Sequence, residues 1–242
     1  MKFSILTLFP EFFNCLIDYS IVGRAIKESI IELETVNIRE FSENKHGQVD
    51  DYPYGGGPGM VMQVGPIYRS IESVRNDNSK VIYLSPKGKV LNQKKLIELS
   101  RENHLILLNG HYEGIDNRVV ENYIDEEISI GDYVLTGAEI PSMVLIDGIT
   151  RLIPGVLSSE ESYSIESHYS GLLEYPQYTR PQRFNGLEVP EILLSGNHEK
   201  IRQYRIFQSI KLTLENRPDL IDKSKLTDIE KEYLKYLESE RG

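Results

Sequence analysis

The amino-acid sequence predicts an α/β fold, a mostly parallel sheet flanked by helices, followed by a small C-terminal helical domain. Short apolar runs alternate with amphipathic stretches up to about residue 150, which is typical of strand–helix–strand units. A serine-rich, acidic stretch without apolar periodicity begins near residue 158, which indicates a linker. The chain beyond it is mainly helical in pattern. We therefore expect an α/β domain at 1–157, a linker at 158–170 and a helical domain at 171–242.

The first elements follow from local composition. Residues 3–9 are apolar with β-branched and aromatic side chains, which favours a buried strand. Pro10 suits the first turn of a helix. The expected apolar face of that helix comprises Phe12, Phe13, Leu16 and Ile17, with Cys15 also in the core. Residues 30–38 alternate apolar and polar side chains, which predicts a second strand.

A glycine-rich stretch follows at 52–60, with the sequence YPYGGGPGM. It matches neither the phosphate-binding loop nor the dinucleotide-binding fingerprint. One interpretation is a mobile surface loop. The other is a backbone surface that a large ligand approaches closely.

Three glycine-containing turns occupy the middle of the chain, at 83–88, 109–118 and 130–141. Strands are expected before each of them, including 81–84 and 105–108, and helices are expected at 64–74, 92–100, 115–123 and 143–149. Ligands of open α/β sheets bind at the carboxyl ends of strands, so the three turns are expected to share one pocket. The alternative is a set of tight connections without a ligand.

The C-terminal region contains two predicted helices. Ser195 or Asn197 with Glu199 marks the start of the first, and Pro218 marks its end. Residues 226–237 form the second amphipathic pattern.

Composition excludes several classes of function. The 242 residues include one cysteine and five histidines without metal-ligand spacing, so neither a disulfide framework nor a zinc site is expected. The N-terminal apolar run is too short for a signal peptide, and no apolar run reaches the roughly 18 residues of a membrane span. We therefore expect a cytoplasmic protein. The class of function that remains is a reaction in which a bound cofactor supplies the reactive group.

The formal charge of −10 is concentrated in one part of the chain. Residues 111–166 contain 2 Lys or Arg and 12 Asp or Glu, whereas acids and bases are balanced on either side. Nucleic-acid binding depends on local charge and is therefore not excluded. Arg151, one of those two cations, is either an ion-pair partner or a catalytic group.

Seven motifs occur in one order along the chain. They are DYPYGGGPGM (51–60), YLSPKG (83–88), GHYEGIDNRV (110–119), IGDYVLTGAEIP (130–141), RLIPGVL (151–157), GLLEYPQYTRP (171–181) and LLSGNH (193–198). Together they closely resemble the bacterial tRNA (guanine-37-N1)-methyltransferases of the knotted (SPOUT) superfamily. The resemblance implies a deep trefoil knot and binding of S-adenosylmethionine in the domain at 1–157. It also implies a homodimer and a tRNA substrate, which binds across the dimer through the glycine-rich loop, the linker and the C-terminal domain at 171–242.

The resemblance also implies roles for individual residues. Cofactor-binding positions are Tyr83, Leu84, Ser85, Pro86, Gly110, Tyr112, Glu113, Gly114, Ile130, Gly131, Asp132, Tyr133, Val134, Leu135, Gly137 and Pro141. RNA-binding positions are His46, Asp50, Gly55, Gly56, Gly57 and Gly59.

The implied catalytic pair is Arg151 and Glu166. A carboxylate removes the N1 proton of guanine and a guanidinium stabilises negative charge on O6. Glu166 aligns with an aspartate in the family. His111 and Ala138 also depart from common family residues, arginine and glycine. Mg²⁺ is a further implied cofactor without an assigned site.

Two other hypotheses stay open. Loss of the aspartate is compatible with a non-catalytic tRNA-binding protein of the same fold. A nucleotide-dependent metabolic enzyme of doubly wound fold is a weaker alternative, because both phosphate-loop fingerprints are missing.

Overall fold

The computed structural model describes residues 1–157, 167–169 and 171–240. These residues form two compact units, Met1–Ser158 and Ser159–Gly242. The predicted domain boundaries remain predictions, and most of the predicted linker, at 158–166 and 170, lies outside the described residues.

The first unit is built on a five-stranded parallel sheet, with the order β2-β1-β6-β5-β7. Its strands are β1 (Lys2–Thr7), β2 (Glu32–Asn37), β5 (Ser79–Val90), β6 (His104–Asn109) and β7 (Glu126–Ser129). A separate antiparallel pair is formed by β3 (Asp50–Asp51) and β4 (Val61–Met62). The predicted α/β class with a mostly parallel sheet is confirmed, whereas the trefoil knot stays a prediction.

Helices cover both faces of this sheet. They are α1 (Asn14–Asp18), α2 (Ser20–Lys27), α3 (Val64–Val74), α4 (Gln93–Leu99), α5 (Asn117–Tyr123) and α6 (Glu139–Thr150), with 3-10 turns at Pro10–Phe13 and Ile38–Phe41. Successive strand residues point to opposite faces. On β6, Leu105 and Leu107 therefore pack with α2, α4 and α6, whereas Ile106 and Leu108 pack with α3 and α5.

The strand β7, which precedes the third turn, begins with two acids, Glu126 and Glu127. Glu126 of β7 lies 3.0 Å from Lys80 Nζ and 2.8 Å from Lys95 Nζ. These ion pairs hold the pKa of the Glu126 carboxyl below its usual value, although burial acts to raise it. An acidic residue is therefore accommodated in a sheet strand by cations from two other elements.

Two predictions about the first helical segment are wrong. Cys15 is exposed rather than in the core, and Phe12 is 48% exposed although the neighbouring Phe13 is fully buried. The segment is not one helix, because a 3-10 turn precedes α1. Consecutive residues of a 3-10 turn point about 120° apart, so Phe12 faces away from the core that buries Phe13.

The second unit contains the helices α7 (Glu191–Leu194), α8 (His198–Asn216) and α9 (Asp228–Glu240), a 3-10 turn at Pro218–Leu220, and the hairpin strands β8 (Arg183–Phe184) and β9 (Leu187–Glu188). Its buried core comprises Leu172, Ile210, Leu226, Leu234 and Leu237. Asn197 caps α8 by accepting a hydrogen bond from the Lys200 amide at 3.1 Å, as the sequence predicted. Among the described residues, no helix combines the length and apolar character needed to cross a bilayer.

Gly88 is a packing constraint within the sheet. The β5–β7 register shifts between Leu84 and Lys89, and a Cβ at position 88 would lie 2.5 Å from the carbonyl carbon of Glu127. We expect Gly88→Ala to lower the free energy of unfolding by about 1–3 kcal/mol, because the strands must separate. Urea denaturation monitored by circular dichroism measures this change.

Gly65→Ala is the matched control for this prediction. A Cβ at position 65 would meet only the guanidinium end of Arg69, at 3.2 Å, and the residue lies in the first turn of α3. Stability should change by less than about 1 kcal/mol, since the preference of alanine for helix is opposed by the contact between its Cβ and Pro66. Equal effects of the two substitutions would refute the packing argument.

Candidate active site

The three glycine-containing segments meet at one end of the sheet. The turns at 109–118 and 130–141 follow β6 and β7. The segment 83–88, predicted as a turn, instead lies within β5, where the register with β7 shifts between Leu84 and Lys89. Because the three strands are neighbours and parallel, the three segments share one edge of the sheet. Residues of all three segments line a cavity of about 290 Å³. The prediction that these segments share one pocket is confirmed.

The cavity brings together almost all of the predicted cofactor-binding residues. Its lining includes Tyr83, Leu84, Ser85, Pro86, Gly110, Tyr112, Glu113, Gly114, Ile130, Gly131, Tyr133, Val134, Leu135, Gly137 and Pro141. Asp132 is the predicted residue that does not line it, and its side chain is exposed. The function of these residues as cofactor ligands stays a prediction.

Other lining residues were not singled out from the sequence as cofactor ligands. They are Lys87, His111, Ile115, Asn117, Val120, Glu127, Ile128, Ser129, Thr136 and Ala138. Most of them lie within or next to the recognised motifs, so their position near those motifs is the sequence feature that could have identified them as lining residues. Glu127 and Ile128 belong to β7, whose bounds the sequence pattern did not define.

A buried carboxylate ties the cavity wall to the sheet. Glu139, only 5% exposed, accepts a hydrogen bond from Thr7 Oγ1 at 2.7 Å. Both of its carboxylate oxygens lie 2.9 Å from Nε2 of His111. Burial acts to raise the pKa of Glu139, but the contacts with His111 and Thr7 outweigh it, and the pKa lies below its usual value. Glu139 is therefore ionised at neutral pH, and His111 Nε2 carries the donated hydrogen.

Gly137 packs directly on this hydrogen-bonded pair. A Cβ at position 137 would lie 2.6 Å from both Glu139 Oε2 and His111 Nε2. The ring of Phe9 packs edge-on against His111, with 5.0 Å between the ring centroids. The imidazole of His111 is thus held by Glu139 and Phe9. The turn before α6 can lie this close to the imidazole because residue 137 is glycine and has no side chain.

Tyr83, in β5, forms another part of the cavity wall. Burial, and to a lesser degree the Glu127 carboxylate, raises the pKa of its phenol to about 12. The hydroxyl is therefore protonated at neutral pH. Its ring lies against Gly110, where a Cβ would be 2.9 Å from Cε2 of Tyr83. This close packing sets the width of the cavity between β5 and the turn after β6.

The glycine-rich loop adjoins the cavity. The β3–β4 pair closes it as a hairpin, and Gly55, Gly56, Gly57 and Gly59 have positive φ values between 78° and 122°. Backbone hydrogen bonds join the hairpin to the turn after β6, from Glu113 N to Met60 O at 3.0 Å and from Met62 N to Gly114 O at 2.9 Å. A Cβ at Gly59 would lie 2.5 Å from the side chain of Glu113.

The remaining predicted RNA-binding residues precede this loop. His46 is exposed, and Asp50 is half-buried at the start of the hairpin. The backbone carbonyl of Asp50 accepts hydrogen bonds from the side chains of Gln48 and Gln63 at 2.9 and 3.1 Å. These contacts fix the hairpin base, while RNA binding by the six residues stays a prediction.

Of the two predicted catalytic residues, Arg151 lies within the described ranges and does not line the cavity. Arg151 is half-buried and follows the last residue of α6. Gly137 and Pro141 lie at the opposite end of this 12-residue helix, which spans about 18 Å. Glu166 lies outside the described residues.

No metal site emerges from the described ranges 1–157, 167–169 and 171–240. They contain no group of three or more His, Cys, Asp or Glu residues arranged to hold an ion. The implied Mg²⁺ therefore has no residues assigned to it and remains a prediction.

Comparisons with known proteins agree with this arrangement. The family tRNA (guanine-1)-methyltransferase TrmD matches residues 1–223. A relative from Ruminiclostridium cellulolyticum, tRNA (guanine-N(1)-)-methyltransferase, is 59% identical over 92% of this chain and 97% of its own.

Two further curated relatives carry the same name. That from Clostridioides difficile is 56% identical over 93% of this chain and 99% of its own. That from Alkaliphilus oremlandii is 53% identical over 100% of both chains. Because these matches cover nearly the whole chain, including every turn around the cavity, the chain belongs to the tRNA (guanine-1)-methyltransferase family TrmD.

Proposed function

We propose that this protein transfers a methyl group from S-adenosylmethionine to N1 of guanine 37 in tRNA, in the cytoplasm. The observation that carries the proposal is the single cavity formed by three glycine-containing segments at one edge of the sheet in a chain of this family. S-adenosylmethionine supplies, when bound, an electrophilic methyl group on a positively charged sulfur. The protein then needs to position that group and manage one proton.

The chemistry of the cavity fits this cofactor. Leu84, Leu135 and Pro141 provide apolar surface for an adenine ring, and exposed edges of the turns provide backbone polar groups. The charged lining residues at neutral pH include the carboxylates of Glu113 and Glu127 and the ammonium of Lys87. This excess of carboxylate suits a ligand with a sulfonium and an ammonium group against one carboxylate.

Two residues are proposed to act on the base. N1 of guanine is protonated at neutral pH, so a carboxylate must accept its proton during methyl transfer, and we assign this to Glu166. The O6 atom gains negative charge as N1 loses its proton, and the guanidinium of Arg151 stabilises that charge. The longer side chain of glutamate retains the functional group of the family's aspartate.

A homodimer is part of this proposal. Arg151 and the cavity lie at opposite ends of α6 in one chain, which supports a second copy as the source of the arginine. Exposed apolar side chains near α6 support the same view. Ile140 and Val144 on α6, with Phe9 and Phe12 beside it, are each about half exposed. Burying such side chains against a second copy provides a favourable association energy.

The target guanine is proposed to reach the cavity past the glycine-rich loop. The loop is bonded to the turn that contributes Glu113 to the cavity wall, so RNA on the loop lies beside the cofactor. The base must leave the anticodon stack to enter, as in other enzymes that modify bases.

The proposal predicts the product and the target position. Transcripts with guanine at position 37 and at the preceding position should become methylated, and nucleoside mass spectrometry should identify 1-methylguanosine. A transcript with adenine at position 37 is the control and should incorporate no methyl group. Incorporation into that control would overturn the assigned target.

A second prediction concerns the cofactor cavity. Gly137→Ala forces a methyl group against the His111–Glu139 pair, and such overpacking costs about 1–3 kcal/mol. Binding of S-adenosylmethionine, measured by calorimetry, should weaken by about 10- to 100-fold. Gly148→Ala, whose Cβ would meet the side chain of Leu96 outside the cavity lining, should bind as tightly as the unsubstituted protein. Unchanged binding by Gly137→Ala would argue against this cavity as the cofactor site.

A third prediction tests the general base. Glu166→Ala should lower kcat by about 10²- to 10⁴-fold, because proton removal loses its acceptor, while the affinities for tRNA and cofactor are retained. Glu166→Asp should keep most of the activity, and Glu161→Ala, in the same acidic stretch, should keep all of it. An unmodified protein that binds tRNA but never turns over would instead support the non-catalytic alternative.

A further inference from the structure

The second unit contains a cavity that the proposed catalytic site does not use. It has a volume of about 560 Å³ and lies among the segment 175–182, the end of β9, α7 and α8. Leu193, Leu194 and Ile201 line it, and none of them belongs to the buried core cluster of this unit. The cavity is thus a separate apolar-walled recess, within the size range of small-ligand sites.

Aromatic rings and guanidinium groups are held together in this recess. The guanidinium carbon of Arg205 lies 4.8 Å from the centroid of the Tyr175 ring. Tyr178 also lines the recess and is 47% exposed. The recess therefore presents a guanidinium that already packs on one aromatic ring and a second ring that is open to solvent.

The charge of the recess is entirely positive. Arg180 and Arg205 are its charged lining residues, and no Asp or Glu is among the residues that line it. Within the described part of the chain, neither arginine forms a salt bridge, whereas Arg183, Arg202 and Arg217 pair with Glu188, Glu199 and Asp219. Two arginines without carboxylate partners beside an aromatic wall favour an anionic ligand with a flat ring.

We propose that this recess binds one unpaired nucleotide of the tRNA, with the base stacked on Tyr178 or Tyr175 and the phosphate on Arg180 and Arg205. The inference rests on the proposed function, because that function supplies tRNA as the partner. Stacking on aromatic rings combined with contacts to cationic side chains is how proteins hold single-stranded nucleotides. The site positions the substrate and takes no part in methyl transfer.

Substitutions in the recess test this inference. Tyr178→Leu and Arg205→Ala should each raise the Kd for tRNA about tenfold, as expected for one lost stacking or cationic contact. The KM for tRNA should rise in parallel, while kcat and the Kd for S-adenosylmethionine stay unchanged. Arg205→Lys should not restore binding, because the ammonium lacks the planar group that packs on Tyr175.

The matched control is Arg202→Ala, one turn earlier on α8. Its guanidinium is exposed and pairs with Glu199, so the substitution removes the same charge outside the recess. It should weaken tRNA binding much less than Arg205→Ala. If Arg202→Ala and Arg205→Ala weakened tRNA binding equally, or if Arg205→Lys kept full affinity, general electrostatic attraction would explain the results. Either outcome would overturn the proposed nucleotide site.

Ultraviolet crosslinking of the complex with tRNA provides direct evidence. Mass spectrometry should find a nucleotide adduct on the peptide containing Tyr175 and Tyr178, and Tyr178→Leu should reduce its yield. Normal tRNA affinity in the recess variants, together with the absence of an adduct, would refute the inference. If the unsubstituted protein still methylated tRNA, the proposed function would stand. Conversely, an adduct and weakened tRNA binding by the variants, without any methylation by the unsubstituted protein, would support nucleotide binding by the recess and refute the proposed methyl transfer.

Discussion

The parallel pairing of β5 with β6 on one side and β7 on the other is the constraint on which the catalytic half of the molecule depends. Tyr83 lies opposite both Leu108 and Glu127, and Leu84 lies opposite Asn109 and Ile128. This register aligns the ends of β6 and β7 with residues 83–87 of β5, so this part of β5 and the turns after β6 and β7 enclose one cavity. A slip of one residue would turn every side chain to the other face, separating the apolar core residues from the helices that cover them.

A second constraint fixes one wall of that cavity. The carboxylate of Glu139 joins the end of β1, through Thr7, to the turn after β6, through His111. Burying a carboxylate raises the free energy of the folded state unless hydrogen bonds replace its lost hydration. Here Thr7 and His111 both hydrogen bond to the Glu139 carboxylate. The turn at 130–138 is consequently anchored where it enters α6. Its middle remains open, since Tyr133 and Val134 are 54% and 82% exposed. An anchored end and an exposed middle are compatible with the proposed role of this turn in binding the cofactor beside the target base.

Sequence patterns predicted the elements whose stability is local. The helix at Val64–Val74 has the predicted bounds, because its apolar periodicity and packing face agree, and the Asn197 cap is a contact over three residues. Long-range compensation was not predictable. Glu126 of β7 is neutralised by Lys80 and Lys95, and the His111–Glu139 contact joins residues 28 apart. The motifs identified most of the residues that line the cavity. No sequence pattern indicated that Asp132 lies outside the cavity lining, or that the length of α6 separates Arg151 from the turn at 130–138.

The uneven charge of the chain is explained by where the acids lie. In the middle segment, Glu126 and Glu139 are balanced by neighbouring cationic or hydrogen-bonding side chains, whereas Glu113 and Glu127 face the cavity. A carboxylate-rich cavity attracts a cationic cofactor but repels phosphates. Under the proposed function, contacts with an RNA backbone therefore come from outside the cavity, from uncharged backbone such as the glycine-rich loop or from locally cationic surfaces. The recess with Arg180 and Arg205 is such a surface, and at physiological ionic strength charges acting over more than about 8 Å are largely screened. A net charge of −10 is thus compatible with binding a polyanion, because each ligand responds to the charges nearest to it.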